Sequence, residues 1–188
     1  MKKLAIFASG TGTNTAKIIE HFKENKTIIV AVVVSNKSSA GVLRITETNN
    51  IATLILQKET FFQGNGYVNE LKSAGIDIIV LAGFLWQLPV SLIRAFPKKI
   101  INIHPALLPK FGGKGMYGNH VHEAVLASGE KESGISIHFV DEQYDHGQII
   151  MQAKCSINKN DDVHSLANKI HQLEHRHFSP TIEVISTL

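Results

Sequence analysis

Asn102-Ile103-His104-Pro105 places an amide and an imidazole two residues apart. Residues two apart on an extended strand point to the same side, so Asn102 and His104 can face one small space. An amide beside an imidazole can hydrogen-bond an oxyanion as it develops. The plain alternative is a satisfied polar pair buried at a strand end. Pro105 fixes the exit from the strand and limits where His104 can go. Asp145, in Asp141-Glu142-Gln143-Tyr144-Asp145-His146-Gly147, offers a carboxylate that would raise the pKa of His104 and move a proton. A solvated hairpin turn explains the same acidic stretch, and spacing alone does not bring Asp145 to His104.

A second candidate is the turn Ser9-Gly10-Thr11-Gly12-Thr13-Asn14. Backbone N–H groups at a helix start, with hydroxyls beside them, suit an anion such as phosphate. No Gly-Lys-Ser/Thr follows, so this is not a Walker loop, and Thr15 stands where the third glycine of a dinucleotide fingerprint belongs. A plain strand–helix turn with Thr13 as N-cap explains it equally well. His171 and His175 have the i,i+4 spacing of a metal pair, but the His-Glu-x-x-His order is absent and no third ligand is placed, so no metal is expected. His120 and His122 open a helix and read as surface or packing residues. The chain has no Gly-x-Ser-x-Gly elbow to support a serine hydrolase.

The elements that must position these residues alternate. The pattern predicts strands at Leu4–Ala8, Ile28–Ser35, Ala52–Leu56, Asp77–Ala82 and Lys99–Ile103. Helices are predicted after the Gly-rich turn to about Asn25, near Ser39–Asn49, over Gly66–Ser73, and from Pro89 to about Ala95. Such alternation means right-handed crossovers and a mostly parallel sheet with helices on both faces, a Rossmann-like α/β fold. Ligands gather beyond the carboxyl ends of such strands, where the Ser9 turn, Gly83–Trp86 and Asn102–Pro105 are expected to converge. Pro105–Asn119 is a long glycine-rich loop of the kind that often serves function. A helix at about His120–Ser128 and an antiparallel pair, Gly134–Val140 with Gln148–Ile157, follow it. Asp161 or Asp162 can cap a last helix to about Phe178, which Pro180 is expected to interrupt before a short tail helix.

The chain of 188 residues suits one domain, 1–188. A net charge of +3 with no block of like charge gives no sign of a nucleic-acid or membrane partner. The single cysteine, Cys155, excludes an internal disulfide, alternates like a strand residue, and reads as structural. The basic-then-apolar start is too short for a signal peptide, and the expected location is cytoplasmic.

Taken together, these segments resemble the phosphoribosylglycinamide formyltransferase family, folate-dependent enzymes of purine synthesis. The resemblance rests on the Ser9–Asn14 turn, Ser35-Asn36-Lys37 and Leu81-Ala82-Gly83-Phe84. It continues in Asn102-Ile103-His104-Pro105-Ala106-Leu107-Leu108-Pro109, Ser136–Val140 and Asp145-x-Gly147. It covers nearly the whole chain. Methionyl-tRNA formyltransferase and formyltetrahydrofolate deformylase carry extra domains, for which this length leaves no room.

The resemblance implies that a glycinamide amine attacks the formyl carbon of 10-formyltetrahydrofolate, the co-substrate, and that tetrahydrofolate leaves. It implies that Asn102 and protonated His104 stabilise the oxyanion while Asp145 keeps His104 charged and relays the proton. Gly12, Thr13 and Asn14 would hold the ribonucleotide phosphate, and Glu174 would contact the glycinamide substrate. The N-terminal half would thus serve the phosphate and the C-terminal half the folate and the catalytic loop. Phe84, Leu85, Trp86, Gln87 and Leu88, with Asp141 and the backbone to Asp145, would wall the folate. The partners implied are small molecules, with the protein a monomer or weak homodimer. Trp86 stands where some members carry a basic residue near the folate tail. The loop Lys110–Gly118 is longer and richer in glycine than in some members and is expected to act as a lid with Lys114 near the phosphate. Two rival readings are a formyltransferase acting on another amine, such as a sugar nucleotide, and a non-catalytic nucleotide-binding module.

Overall fold

The computed structural model describes residues 1–63 and 65–187. Along the chain come β1 (Lys2–Phe7), α1 (Thr13–Phe22), β2 (Ile28–Ser35), α2 (Val42–Thr48), β3 (Ala52–Ile55), α3 (Lys58–Phe62) and α4 (Val68–Ser73). They are followed by β4 (Ile78–Leu81), α5 (Val90–Ala95), β5 (Ile100–His104), α6 (Asn119–Ala127), β6 (Glu132–Phe139), β7 (Ile149–Ser156) and α7 (Val163–Thr187). The strands form a seven-stranded, mostly parallel sheet in the order β3-β2-β1-β4-β5-β6-β7. The fold class is α/β, as the alternation of strand and helix patterns predicts. Two compact units are distinguished, Met1–Ile101 with the chain from Ile182, and Asn102–Thr181.

In the first unit β1 lies between β2 and β4, parallel to both, with Phe7 opposite Val34 on one side and Leu81 on the other. Leu4, Ala5, Ile6, Phe7 and Ala8 are completely buried. A strand covered on both faces needs such an uninterrupted apolar run rather than alternation. At the sheet edge β3 pairs with β2, and Ala52 and Thr53 are exposed. Ile18, Ile19 and Phe22 supply the buried stripe of α1 together with Thr15, at the spacing that places one helix face on a core. Each large apolar side chain so buried contributes roughly 1.5–3 kcal/mol.

The helix start differs from the expected Thr13 N-cap. Gly12 occupies the cap with φ 83°, and Thr13 is already helical. A Cβ on Gly12 would lie 2.7 Å from the Val42 side chain, so both the left-handed backbone and the approach of α2 require glycine there. Ser9 then joins this turn to the end of β4. Its N–H donates to the Gly83 carbonyl at 3.1 Å, and its Oγ accepts from the Leu85 N–H at 2.9 Å. Two of the three segments expected to meet at the strand ends therefore do.

In the second unit β6 and β7 form the antiparallel pair, with Ser136 opposite Gln152. β6 is buried along most of its length, whereas β7 alternates between half-buried and exposed positions, as an edge strand does. Cys155 lies on β7 as a half-buried free thiol, and burial pushes its pKa up, so thiolate chemistry is disfavoured. Asp162 caps α7: its Oδ1 accepts from the Ser165 N–H at 2.7 Å while its own N–H donates to Ser165 Oγ at 2.9 Å. Asp161 instead pairs with Lys169 and accepts from the Asn158 N–H.

Pro180 does not interrupt α7, which runs unbroken from Val163 to Thr187. Proline forfeits one helical hydrogen bond, but Phe178 and Ile182 on either side of it are buried, and Thr181 Oγ1 donates to the His177 carbonyl at 2.8 Å. Packing on both flanks outweighs the local penalty. No helix among the described residues is long and apolar enough to cross a membrane.

Candidate active site

β5 ends at His104, and its period-two alternation sets Asn102 and His104 on one side. His104 is 3 % exposed. Its Nε2 lies 2.8 Å from the Phe111 carbonyl. A carbonyl can only accept, so Nε2 carries the hydrogen and Nδ1 is the nitrogen that titrates. Nδ1 stands 3.5 Å from Oδ2 of Asp145. The structure thus brings together the three residues that spacing alone left apart.

Asp145 sits between its partners. Oδ2 accepts from the Gly113 N–H at 2.9 Å and faces His104, while Oδ1 lies 3.5 Å from Asn102 Nδ2 and 3.6 Å from His138 Nε2. The residue adopts φ 50°, a left-handed conformation that aspartate tolerates better than most. Two residues on, Gly147 allows this geometry: a Cβ there would lie 1.9 Å from the Phe139 carbonyl oxygen. The Asp145-x-Gly147 spacing therefore has a steric cause.

His138 and Ser136, on β6, complete the cluster. His138 Nδ1 donates to the Phe139 carbonyl at 2.8 Å, so in the neutral ring Nε2 accepts from Asn102 Nδ2 at 3.2 Å. This contact orients the Asn102 amide. Ser136 is fully buried and grips the segment after His104. Its Oγ accepts from the Leu108 N–H at 2.9 Å, donates to the Ala106 carbonyl at 2.7 Å and accepts from Gln152 Nε2 at 2.7 Å. The sequence assigned neither residue a role. The available signal was their period-two spacing on a strand, the same feature that marked Asn102 and His104.

Burial pushes the His104 pKa below its ordinary value; the Asp145 charge and the Phe111 hydrogen bond pull the other way without overcoming it. The raising influence expected of Asp145 is present, yet the net direction is down. For Asp145, burial pushes upward, but the neighbouring His138 and His104 rings and the Gly113 N–H together hold it below the usual carboxylate value. The site therefore holds an ionised carboxylate against a histidine whose burial favours the neutral ring. Contacts of 3.5–3.6 Å are longer than good hydrogen bonds, a common state of catalytic groups before substrate tightens them.

Glu174, on α7, is 6 % exposed, unlike most glutamates. Its charge reaches both His104 and His122. In the first unit Gly12 is buried, Thr13 is exposed and Asn14 is half-buried at the start of α1. Phe84 stands edge-on to Phe7 and Phe61 at 5.2 and 5.9 Å, and Trp86 lies 5.5 Å from the Phe61 ring. Leu88 is buried, while Leu85 is 47 % exposed and Gln87 is exposed. Asp141 accepts from the Gln143 N–H and pairs with His146 at 2.8 Å, which braces the link leading to Asp145.

The formyl transferase family matches residues 2–182. The chain belongs to that family. It is 42 % identical over 193 residues to the chloroplastic phosphoribosylglycinamide formyltransferase of Arabidopsis thaliana, covering 100 % of this chain and 65 % of the relative. It is 33 % identical to the phosphoribosylglycinamide formyltransferase of Bacillus subtilis, covering 97 % of this chain and 94 % of the relative. Among solved structures, phosphoribosylglycinamide formyltransferase from Bacillus halodurans superposes with a TM-score of 0.88 at 35 % identity, covering 98 % of this chain and 95 % of that one. The chain spans 65 % and 61 % of the length of the two chloroplastic relatives it matches, from Arabidopsis thaliana and Vigna unguiculata.

The base of the loop expected to act as a lid is tied to the Asn102–His104–Asp145 cluster, because Phe111 binds His104 and Gly113 binds Asp145. Lys110, at the loop's start, pairs with Glu130 at 2.7 Å. Among the described residues, no group of three or more His, Cys, Asp or Glu is placed to hold a metal ion.

Proposed function

We propose that the chain transfers a formyl group from 10-formyltetrahydrofolate to the amine of 5'-phosphoribosylglycinamide, releasing tetrahydrofolate, as a step of purine synthesis. The observation that carries this reading is Asp145 set between Asn102 Nδ2 and His104 Nδ1 at 3.5 Å from each. Acyl transfer to an amine needs two donors for an oxyanion and a path for one proton. Family membership and the relatives' names support the choice of donor and acceptor.

The neutral amine attacks the formyl carbon, its lone pair forms the C–N bond, and the carbonyl π electrons move onto oxygen. Asn102 Nδ2–H and the protonated Nδ1 of His104 donate to that oxygen. His104 takes its proton from solvent before attack and keeps it through the step, with the Asp145 carboxylate and the developing oxyanion offsetting the penalty of burial. The attacking nitrogen loses a proton towards Asp145, through water where the distance exceeds a direct bond. The oxyanion then collapses, the bond from carbon to the folate nitrogen breaks with its electrons going to nitrogen, and that nitrogen receives the proton held at Asp145, which returns to its ionised form. Phe111 keeps Nε2 occupied, so Nδ1 is the nitrogen that works.

In this reading Gly12, Thr13 and Asn14 hold the phosphate at the start of α1, and Glu174 contacts the acceptor. Phe84, Leu85, Trp86, Gln87 and Leu88, with Asp141 and its link, form the folate wall. A single domain of 1–188 carries the reaction. Cys155, the only cysteine, suits a reducing compartment, and we place the reaction in the cytoplasm.

The test follows tetrahydrofolate release by absorbance, with glycinamide ribonucleotide present or omitted. Release that requires the amine, and that falls by about a hundredfold or more in Asn102→Ala and His104→Ala, is the expected result. Release without the amine would identify a hydrolase. Transfer only to a different amine would keep the chemistry and overturn the acceptor, while nucleotide binding indifferent to His104→Ala with no turnover would indicate a binding module.

A further inference from the structure

Glu174 carries a carboxylate in a position where a charge is costly unless paired. Its Oε2 is bonded to Nδ1 of His171, one helical turn earlier on α7, at 3.0 Å. The Glu174 side chain is 7 % exposed and that of His171 53 % exposed, so a wet imidazole grips a buried acid. The His171 ring also stacks on His175, with centroids 6.3 Å apart and planes 20° from parallel. That contact limits the ring's rotation and keeps Nδ1 turned towards Glu174.

The pair is coupled to what surrounds it. His122, on α6, is 3 % exposed, and its Nδ1 has no hydrogen-bond partner. Burial, then the charge of His171, depress the His122 pKa, while Glu174 opposes them. His104 also feels Glu174. Titratable groups that share this field include His171 on the helix of Glu174, with His175 stacked on it, His122 on α6 and His104 at the end of β5. Of His171, His122 and His104, His171 is the one held charged most readily, because its hydrogen bond to Glu174 raises its pKa. His104 and His122 shift the opposite way.

We propose that His171 is a positioning residue for the acceptor substrate: as an imidazolium it holds the Glu174 carboxylate in the orientation that receives the acceptor's N–H or O–H groups. This rests on the reading of Glu174 as an acceptor contact. The hydrogen bond fixes one carboxylate oxygen and with it the plane of the group. Losing the His171 proton removes the charge assistance and leaves the buried carboxylate less well held. Affinity for the acceptor then weakens as pH rises through the His171 pKa, while the folate side is untouched.

The experiment has two arms. In the first, the ring signals of His171 are followed by NMR against pH in the wild type and in Glu174→Gln. A His171 pKa that falls in Glu174→Gln supports the pair, and an unchanged one overturns the proposal whatever the reaction proves to be. In the second, KM for glycinamide ribonucleotide, KM for 10-formyltetrahydrofolate and kcat are measured between pH 6 and 8. For His171→Ala the expected result is a several-fold rise in the acceptor KM at pH 6 alone, with the other two constants within about twofold of wild type. His171→Lys, which keeps a positive charge across the range, should restore the low acceptor KM and make it independent of pH. An acceptor KM unaffected by His171→Ala, with the first arm positive, would overturn the positioning role. Wild-type protein without transfer to this acceptor would overturn the proposed reaction and the positioning role with it, leaving only the ion pair, which the first arm reads by itself.

Discussion

The Phe111 carbonyl accepts a 2.8 Å hydrogen bond from Nε2 of His104, and this one contact decides which ring nitrogen can do chemistry. The neutral ring should therefore be the Nε2–H tautomer. Nitrogen-15 NMR of the free protein above pH 8 should show a protonated Nε2 and a bare Nδ1 for His104. The opposite pattern would detach Nδ1 from the oxyanion role.

His104 and His122 both have pKa values lowered by burial from an ordinary value of 6.5. The unfolded chain then takes up protons before the folded one as pH falls. Their share of stability is present above about pH 6.5 and is lost progressively below it. His171 is shifted upward, so its share is present at low pH and is lost as pH rises through its folded value. Urea midpoints at a series of pH values should show the acid-side loss reduced in His122→Gln and the alkaline-side loss reduced in His171→Ala. A His122→Gln profile parallel to the wild type below pH 6.5 would contradict the first assignment.

Asn102 owes its orientation to His138, whose Nε2 lies 3.2 Å from Asn102 Nδ2. Replacing His138 with leucine removes the acceptor and leaves a part-buried N–H poorly satisfied, which costs about 1–3 kcal/mol. kcat should fall by roughly tenfold through misorientation of the amide, on the same scale. Glutamine at 138 offers a carbonyl oxygen and should recover part of the rate. A leucine variant with full kcat would show that Asn102 needs no such support.

Sequence patterns carry strong but local information, and the molecule shows where that ends. The strand Ile28–Ser35 is legible to the residue because its nearly continuous apolar run, rich in Ile and Val, suits a strand. Asn102 and His104 are legible as a pair because period two is a local rule. Their meeting with Asp145 is not, since it depends on the β6–β7 pairing and on the link that Gly147 permits. His138 was hidden for the same reason: its partner Asn102 lies on another strand, 36 residues away. Short α3, Lys58–Phe62, went unread because five residues give too little periodicity. Gly12 rather than Thr13 caps α1 because of Val42, a neighbour in space alone.

Gly147 tests the steric account of where the Asp145 carboxylate sits. A methyl group 1.9 Å from the Phe139 oxygen meets backbone and cannot swing aside. Gly147→Ala must displace the link from Asp141 to Asp145, at a cost of about 1–3 kcal/mol for overpacking. The urea midpoint should drop accordingly. kcat of the folded fraction should drop too, because Asp145 moves off its 3.5 Å contact with His104. Stability lost with kcat retained would mean that the link can shift without moving the carboxylate.

Pro180 raises the converse question, since a helix tolerates it at full length. Its ring removes one N–H and crowds the carbonyl four residues back, a penalty of about 3 kcal/mol against alanine in a helix interior. Buried Phe178 and Ile182, together with Glu183, which bonds Asn25 and His21 at 2.9 and 2.7 Å, hold the following turns in place regardless. If the proline is a defect overcome by packing, Pro180→Ala restores a hydrogen bond and raises the urea midpoint. The gain should be well short of the full 3 kcal/mol, because the unfolded chain also gains freedom when the ring is removed. If instead a bend at Pro180 is what seats Ile182 and Glu183, straightening the helix pulls both from their contacts and the midpoint falls. The Glu183→Ala background separates the two cases: relief of a local defect persists in it, whereas a loss that works through the Glu183 contacts disappears with them.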